Sequence, residues 1–202
     1  MKNKWSDITI ADFKKISEIN NRELDSDLEK AVAYASVLLS KPEDELWSLN
    51  IVELNNLLEE TKWLNSKFTF NQRPFNHINI NGEKYDVKYD IMKFSVAQYA
   101  DFQIYWDHRT EPDWMAKLMT VFIIPHGKKY NEGYDAVELA GIIENNLSIT
   151  DYNSICFFFL LDLLNLTRGI ALYSTWLTKN KKKDPKMKEA IEKLRTLTKR
   201  LI

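Results

Sequence analysis

The chain has 202 residues, 45% of them hydrophobic and 28% charged, and a formal net charge of −1. This is the composition of a folded globular protein, and it excludes a disordered or collagenous chain and, because Cys156 stands alone, a disulfide-stapled one. A chain of this length buries about 70% of its unfolded surface without a staple, and one cysteine together with an N-terminus, MKNKWSDITIADFKK, that has no apolar run behind its lysines points to a cytosolic setting.

The first third reads as helices with legible starts. Thr9 and Asp12 have the spacing of a capping box, opening a helix with Phe13, Ile16 and Ile19. Ser26 caps a segment in which Leu28, Val32, Ala35, Leu38 and Leu39 keep helical spacing. Pro42 suits the first turn of a short helix whose Glu43, Asp44 and Glu45 complement the helix dipole. Asn50 and Glu53 make a second capping box, before Leu54, Leu57, Leu58 and Leu64.

The period then changes. In HINI-NG-EKYDVKY, Asn81-Gly82 separates two alternating segments, Ile78 and Ile80 on one arm and Tyr85, Val87 and Tyr89 on the other, which predicts a β-hairpin. Lys67 to Phe70 is the candidate third strand. A two-stranded hairpin alone is marginal, so it is expected to pack on the helices or extend a partner's sheet. Helices return with a capping box at Ser95 and Gln98 for Val96 to Trp106. Pro112 opens a helix from Trp114 to about Ile124, ended by Pro125-His126-Gly127. Tyr134 to Asn145 is a shorter helix, and Ser148 or Thr150 caps a long one ending near Lys179. Pro185 starts an amphipathic helix with Met187, Ile191, Leu194, Leu197 and Leu201 on one face.

The long helix contains ICFFFLLDLLNLTRGIALYSTWL, residues 155–177, which is long enough to cross a bilayer. Asp162 and Arg168 lie near its centre, and each costs about 2.5–3.5 kcal/mol on insertion. At about 100° per residue, Asp151, Asp162, Asn165, Arg168 and Thr175 share one flank, a polar stripe that predicts the core helix of a soluble domain. The expected fold is mainly α (α+β): a compact helical domain over 1–178 with one β-hairpin around 77–90, a long central core helix, and a basic C-terminal amphipathic tail over 179–202. The one subdivision the pattern admits separates a helical 1–66 from a hairpin plus helices over 67–178.

Residue chemistry gives no catalytic, cofactor-binding or metal-binding expectation. His77, His108 and His126 are far apart in sequence, with no HExxH or CxxC spacing. Cys156 precedes three phenylalanines, where a thiol is an inert small hydrophobe. PHGKKYNEGY, residues 125–134, lacks phosphate-loop spacing and reads as a loop, and Asp86 and Asp90 read as solvated carboxylates beside the hairpin. Charge is more informative. Residues 179–202 carry +7, so 1–178 carry −8. Such asymmetry predicts an acidic partner or a neighbouring copy for Lys181, Lys182, Lys183, Lys186, Arg195, Lys199 and Arg200, with non-specific phosphate contact as an alternative and no specific nucleic-acid module. Trp106 and Trp114 flank the charged turn DHRTEPD and are candidate partner-binding aromatics.

The blocks ITIADFKKISEI, PEDELWSLNIVELNNLL, INGEKYDVKYDIMKFSVAQYADFQ, PDWMAKLMTVFIIPHGKKYNEGYD and ICFFFLLDLL, in that order, resemble small proteins from the structural gene modules of phages infecting Bacteroidetes, including crAss-like phages. The resemblance covers most of residues 6–165 and is one of layout, with no diagnostic motif; the basic tail is outside it. It implies a non-enzymatic virion structural protein made in the host cytoplasm, forming a ring or decorating the portal, neck or tail region. Its implied partners are other phage structural proteins and copies of itself, with no membrane and no cofactor. The alternative it implies is a tail-assembly chaperone absent from the mature particle.

Overall fold

The computed structural model describes residues 2–69 and 73–179. Eight α-helices occur among them, besides three short 3₁₀ turns: α1 Ile10–Asn21, α2 Asp27–Leu39, α3 Glu43–Trp47, α4 Ile51–Thr61, α5 Val96–Asp107, α6 Trp114–Phe122, α7 Ala136–Asn146 and α8 Ile149–Lys179. Three strands, β1 His77–Ile80, β2 Glu83–Val87 and β3 Ile123–Pro125, form an antiparallel sheet in the order β1-β2-β3. The fold is therefore mainly α with a small sheet, an α+β arrangement, as its periodicities predict.

Side chains that satisfy orphan backbone groups set the helix starts. Thr9 with Asp12, and Asn50 with Glu53, form complete capping boxes, while Ser26 and Ser95 accept from the third residue of their helices. Gln98 does not close a box with Ser95. Its amide turns inward and donates to the Val121 carbonyl at 2.6 Å, a buried link between α5 and the end of α6. At α8 it is Ser148 that caps, accepting from the Asp151 amide at 3.0 Å. The first turn of α8 is further fixed by Ile149 donating to the Ile8 carbonyl, and Ile10 donates to the Leu147 carbonyl beside it.

The sheet differs from expectation in its third strand. Residues 67–69 are not in a strand, and Phe70 lies outside the described residues. The partner of β2 is Ile123–Pro125, which the apolar run VFII joins to α6 without a break in periodicity. The helix stops at Phe122 and the chain becomes extended, Ile123 having φ −110 and ψ 117. β-branched residues in a short buried run suit a strand as well as a helix, and tertiary pairing decides between them. Pro125 is tolerated because β3 is an edge strand.

One main core gathers residues from α1, α2, the sheet, α5, α6, α7 and the first half of α8. At its centre Phe159 of α8 packs on Phe102 of α5 and Phe122 of α6, with ring centroids 5.0 and 4.9 Å apart. A smaller cluster of Val32, Ala35, Leu46, Leu54 and Leu57 holds α3 and α4 against the outer side of α2. Lys14 of α1 and Glu144 of α7 form an ion pair across the helix layer.

The long helix is only half a core helix. Ile149, Tyr152, Ile155, Phe158, Phe159 and Leu163 are buried, but Leu160, Leu161, Leu164 and Leu172 are exposed. The helix is long and apolar enough to cross a membrane over Ile149–Tyr173, and only 22% of its most apolar 18-residue stretch is buried in the chain's own fold. The expectation of a core helix holds as far as Leu163; beyond it Leu164 and Leu172 have no core above them. The polar stripe Asp162, Asn165, Arg168 and Thr175 is exposed, but so are apolar residues on the other sides.

Removing the Phe159 ring opens a cavity between three helices. Phe159→Ala is expected to lower unfolding free energy by about 3–5 kcal/mol, whereas Asn50→Ala, which removes an exposed cap, should cost about 1 kcal/mol. Urea titration of both variants checks the ordering.

Candidate functional site

Two features stand out on the described surface. The first is built on the sheet. Because side chains alternate along a strand, Ile78, Ile80, Tyr85 and Val87 share one face, and His77 and Asp86 share the other, directly opposite each other in the β1–β2 register. Tyr85 and Val87 are buried in the core. Asp86 also pairs with Ile124 of β3, so His126, two residues on, lies diagonally beside it on the outer face.

The result is a convergent cluster from all three strand segments. His77 Nδ1 lies 2.8 Å and His126 Nδ1 2.7 Å from the same oxygen, Asp86 Oδ1. The two imidazoles meet edge-on, with centroids 5.5 Å apart and planes at 88°. One donor atom from each of the three residues lies within 4.8 Å of the others. The imidazoles are about half exposed and the Asp86 side chain is 20% exposed. They line an open cavity of about 500 Å³ that also takes in Asn76, Asp90, Lys93 and, from α8, Asp162.

Partial burial pushes the Asp86 carboxyl up, but hydrogen bonds from His126 and His77 and from the Gly127 amide outweigh it and hold its pKa below the ordinary value. The turn behind His126 makes this possible. Lys128 N donates to the Pro125 carbonyl at 3.0 Å, and Gly127, the third residue of that turn, sits at φ 75. The loop that follows is pinned to α5 by Tyr130, whose hydroxyl donates to Asp101 Oδ2 at 2.8 Å. Burial and that carboxylate both raise the Tyr130 pKa.

This cluster corrects two readings made from the sequence. The histidines are far apart along the chain, but antiparallel pairing of β3 with β2 brings His126 onto Asp86, 40 residues away. Asp86 is a half-enclosed acceptor held by two imidazoles, where a solvated carboxylate is the sequence expectation. Asp90 does stay near solvent, capping the Met92 amide and pairing with Lys93 at 3.0 Å. The third histidine, His108, bonds the Ile104 carbonyl at the end of α5. The sequence expectation set neither His77 nor Asp86 on a shared face, although the hairpin's alternation and the Asn81-Gly82 register carry that signal; no local signal places His126, because β3 reads as the end of a helix.

The second feature is the apolar outer half of α8. Its Leu164 is 48% exposed and its Leu172 74% exposed. Cys156, further back on the same helix, has its thiol pushed up to about 11 by burial, despite a hydrogen bond with Tyr152 that lowers it. That fits the inert thiol expected from its neighbours.

Trp106 and Trp114 are less available than their sequence position implies. Both are half-buried and packed against the main core. Trp106 stacks on Phe102 at 5.9 Å, with the Arg109 guanidinium 5.7 Å from its ring centroid. Lys181, Lys182, Lys183, Lys186, Arg195, Lys199 and Arg200 lie outside the described residues.

No protein-family model, no curated protein and no solved structure matches this chain.

The lowered Asp86 pKa carries a sign. A depressed folded-state value means that the carboxylate contributes stability above the ordinary Asp range, about 3.9, and that this contribution is lost as pH falls through the lower folded-state value. Asp86→Asn should therefore be less stable than the wild type at pH 6, with the gap closing as the solution is acidified below that range. Melting midpoints of both proteins across pH 2–6, in chelator-treated buffer, test it.

Proposed function

We propose that the chain is a non-enzymatic bacteriophage virion structural protein, a ring-forming or decorating component of the portal, neck or tail region that works through protein–protein contacts. The resemblance of its sequential blocks supplies the phage setting. The observation that carries the contact-based part is the apolar outer side of α8, where Leu160 and Leu161 beside the core-facing stretch and Leu164 and Leu172 beyond it are exposed on one continuous helix.

Such a surface needs a cover. Fully burying a leucine contributes about 1.5–3 kcal/mol; these four are only 42–74% exposed, so each helix has roughly two leucines' worth of surface left to bury and a pair of helices supplies on the order of 6–12 kcal/mol, while association costs about 4–15 kcal/mol. A pair of these helices alone is thus close to balance, and stable assembly calls for further contacts. Two further features favour copies of the same chain. The charge split, −8 over 1–178 and +7 over 179–202, is self-complementary when copies meet head to tail. The four-residue strand β1 is an edge strand, with no strand on its outer side among the described residues. A bilayer would also cover α8, but Asp162 and Arg168 near the middle of the apolar stretch disfavour it at about 2.5–3.5 kcal/mol each.

Quantitative peptide mass spectrometry on gradient-purified particles and on infected-cell lysate tests the role. A fixed ratio to the portal protein in particles is the expected result. Abundance in the lysate with absence from particles overturns it in favour of a tail-assembly chaperone.

The surface has its own test. Leu164→Glu combined with Leu172→Glu should abolish self-association in sedimentation velocity while changing the urea unfolding free energy by no more than about 0.5 kcal/mol, as exposed positions do. Retained assembly in the double variant would remove α8 as the contact.

A further inference from the structure

We propose that His77, Asp86 and His126 form a binding site for one divalent first-row transition-metal ion of the zinc type, which ties the three strands together on the outer face of the sheet. Two imidazole nitrogens and one carboxylate oxygen are a donor set that zinc and its neighbours accept, with a fourth position left for water. Hard cations such as magnesium prefer oxygen and keep their hydration, so this set discriminates against them.

The geometry is close to what an ion requires. Bonds of about 2.0–2.2 Å place ligand atoms roughly 3.3 Å apart around a tetrahedral centre. The two Nδ1 atoms stand 2.8 and 2.7 Å from Asp86 Oδ1, and all three donors fall within 4.8 Å of one another. The carboxylate has to withdraw by roughly half an ångström to admit the ion, and two half-exposed imidazoles can turn to meet it.

Preorganisation is the stronger argument. Each ligand comes from or directly follows a different strand: His77 from β1, Asp86 from β2, His126 after β3. Strand register and the Gly127 turn hold all three before any ion arrives, so binding does not have to organise a loop. Around them the same cavity offers the carboxylates of Asp90 and Asp162, one from the end of the hairpin and one from α8. These are outer-shell groups that can orient ligands or bound water. The inference does not depend on the role given to α8, and either can fail without the other.

Isothermal titration of the full chain, stripped with chelator, with zinc chloride and separately magnesium chloride tests the site. The expected result is saturable one-to-one zinc binding, no magnesium binding, and a melting midpoint that rises with added zinc. Affinity should fall by more than about tenfold in His126→Ala and in His77→Asn, and stay unchanged in His108→Ala. His77 and His126 are both about half exposed and lie on or just beyond edge strands, so both variants are expected to keep the fold, which their urea unfolding curves check. Absence of saturable zinc binding by the wild type overturns the proposal. So does zinc binding that is equally tight in the folded His77→Asn variant.

Discussion

The pairing of β2 with two neighbours is the constraint on which the rest of the body depends. β2 contributes Tyr85 and Val87 to the core and Asp86 to the opposite face, and both outcomes follow from a single alternation. Pairing on the β1 side closes the hairpin over Ile78 and Ile80. Pairing on the β3 side draws the end of α6 against the sheet, which seats Phe122 among Phe102 and Phe159. A hairpin by itself is marginal in water; here β3 and the phenylalanine cluster supply the missing stability, and the same contact carries His126 to Asp86.

The long helix obeys a different balance. Its first half replaces water with packed aromatic rings, and its start is tied by main-chain hydrogen bonds to the residues on either side of Thr9. Past Leu163 the sequence remains apolar, yet Leu164 and Leu172 stand exposed. Large exposed apolar surface on a folded protein marks a place where something else binds. The length of α8 is thus divided between holding the fold together and presenting a surface.

Much of this was legible in the residues. Thr9, Ser26, Asn50, Ser95 and Ser148 announce their helices because capping is local chemistry, and Asn81-Gly82 announces the hairpin for the same reason. What was not legible is non-local. The run VFII carries no period that separates strand from helix, so β3 emerges only when β2 is there to pair with it. Gln98 has the spacing of a capping residue but finds a buried carbonyl 23 residues away at Val121. Helical alternation alone made α8 a core element throughout; whether an apolar face is covered depends on how far the neighbouring helices extend, which no local pattern records. The histidine cluster inherits the difficulty of β3, since its third member sits just beyond that strand.

The Asn81-Gly82 turn also has a bearing on how this chain can drift. Both residues have positive φ, 53 and 82, the geometry of a two-residue hairpin turn, and that geometry fixes which residues of β1 and β2 face each other. Inserting or deleting one residue there rotates all of β1 by half a period: Ile78 and Ile80 go outward, and His77 goes in. Core and outer cluster would be lost in one event, so neither can be traded against the other by changing the turn. Among homologous chains the length of this loop should be as invariant as any side chain, with variation displaced into the longer connections on either side of the hairpin.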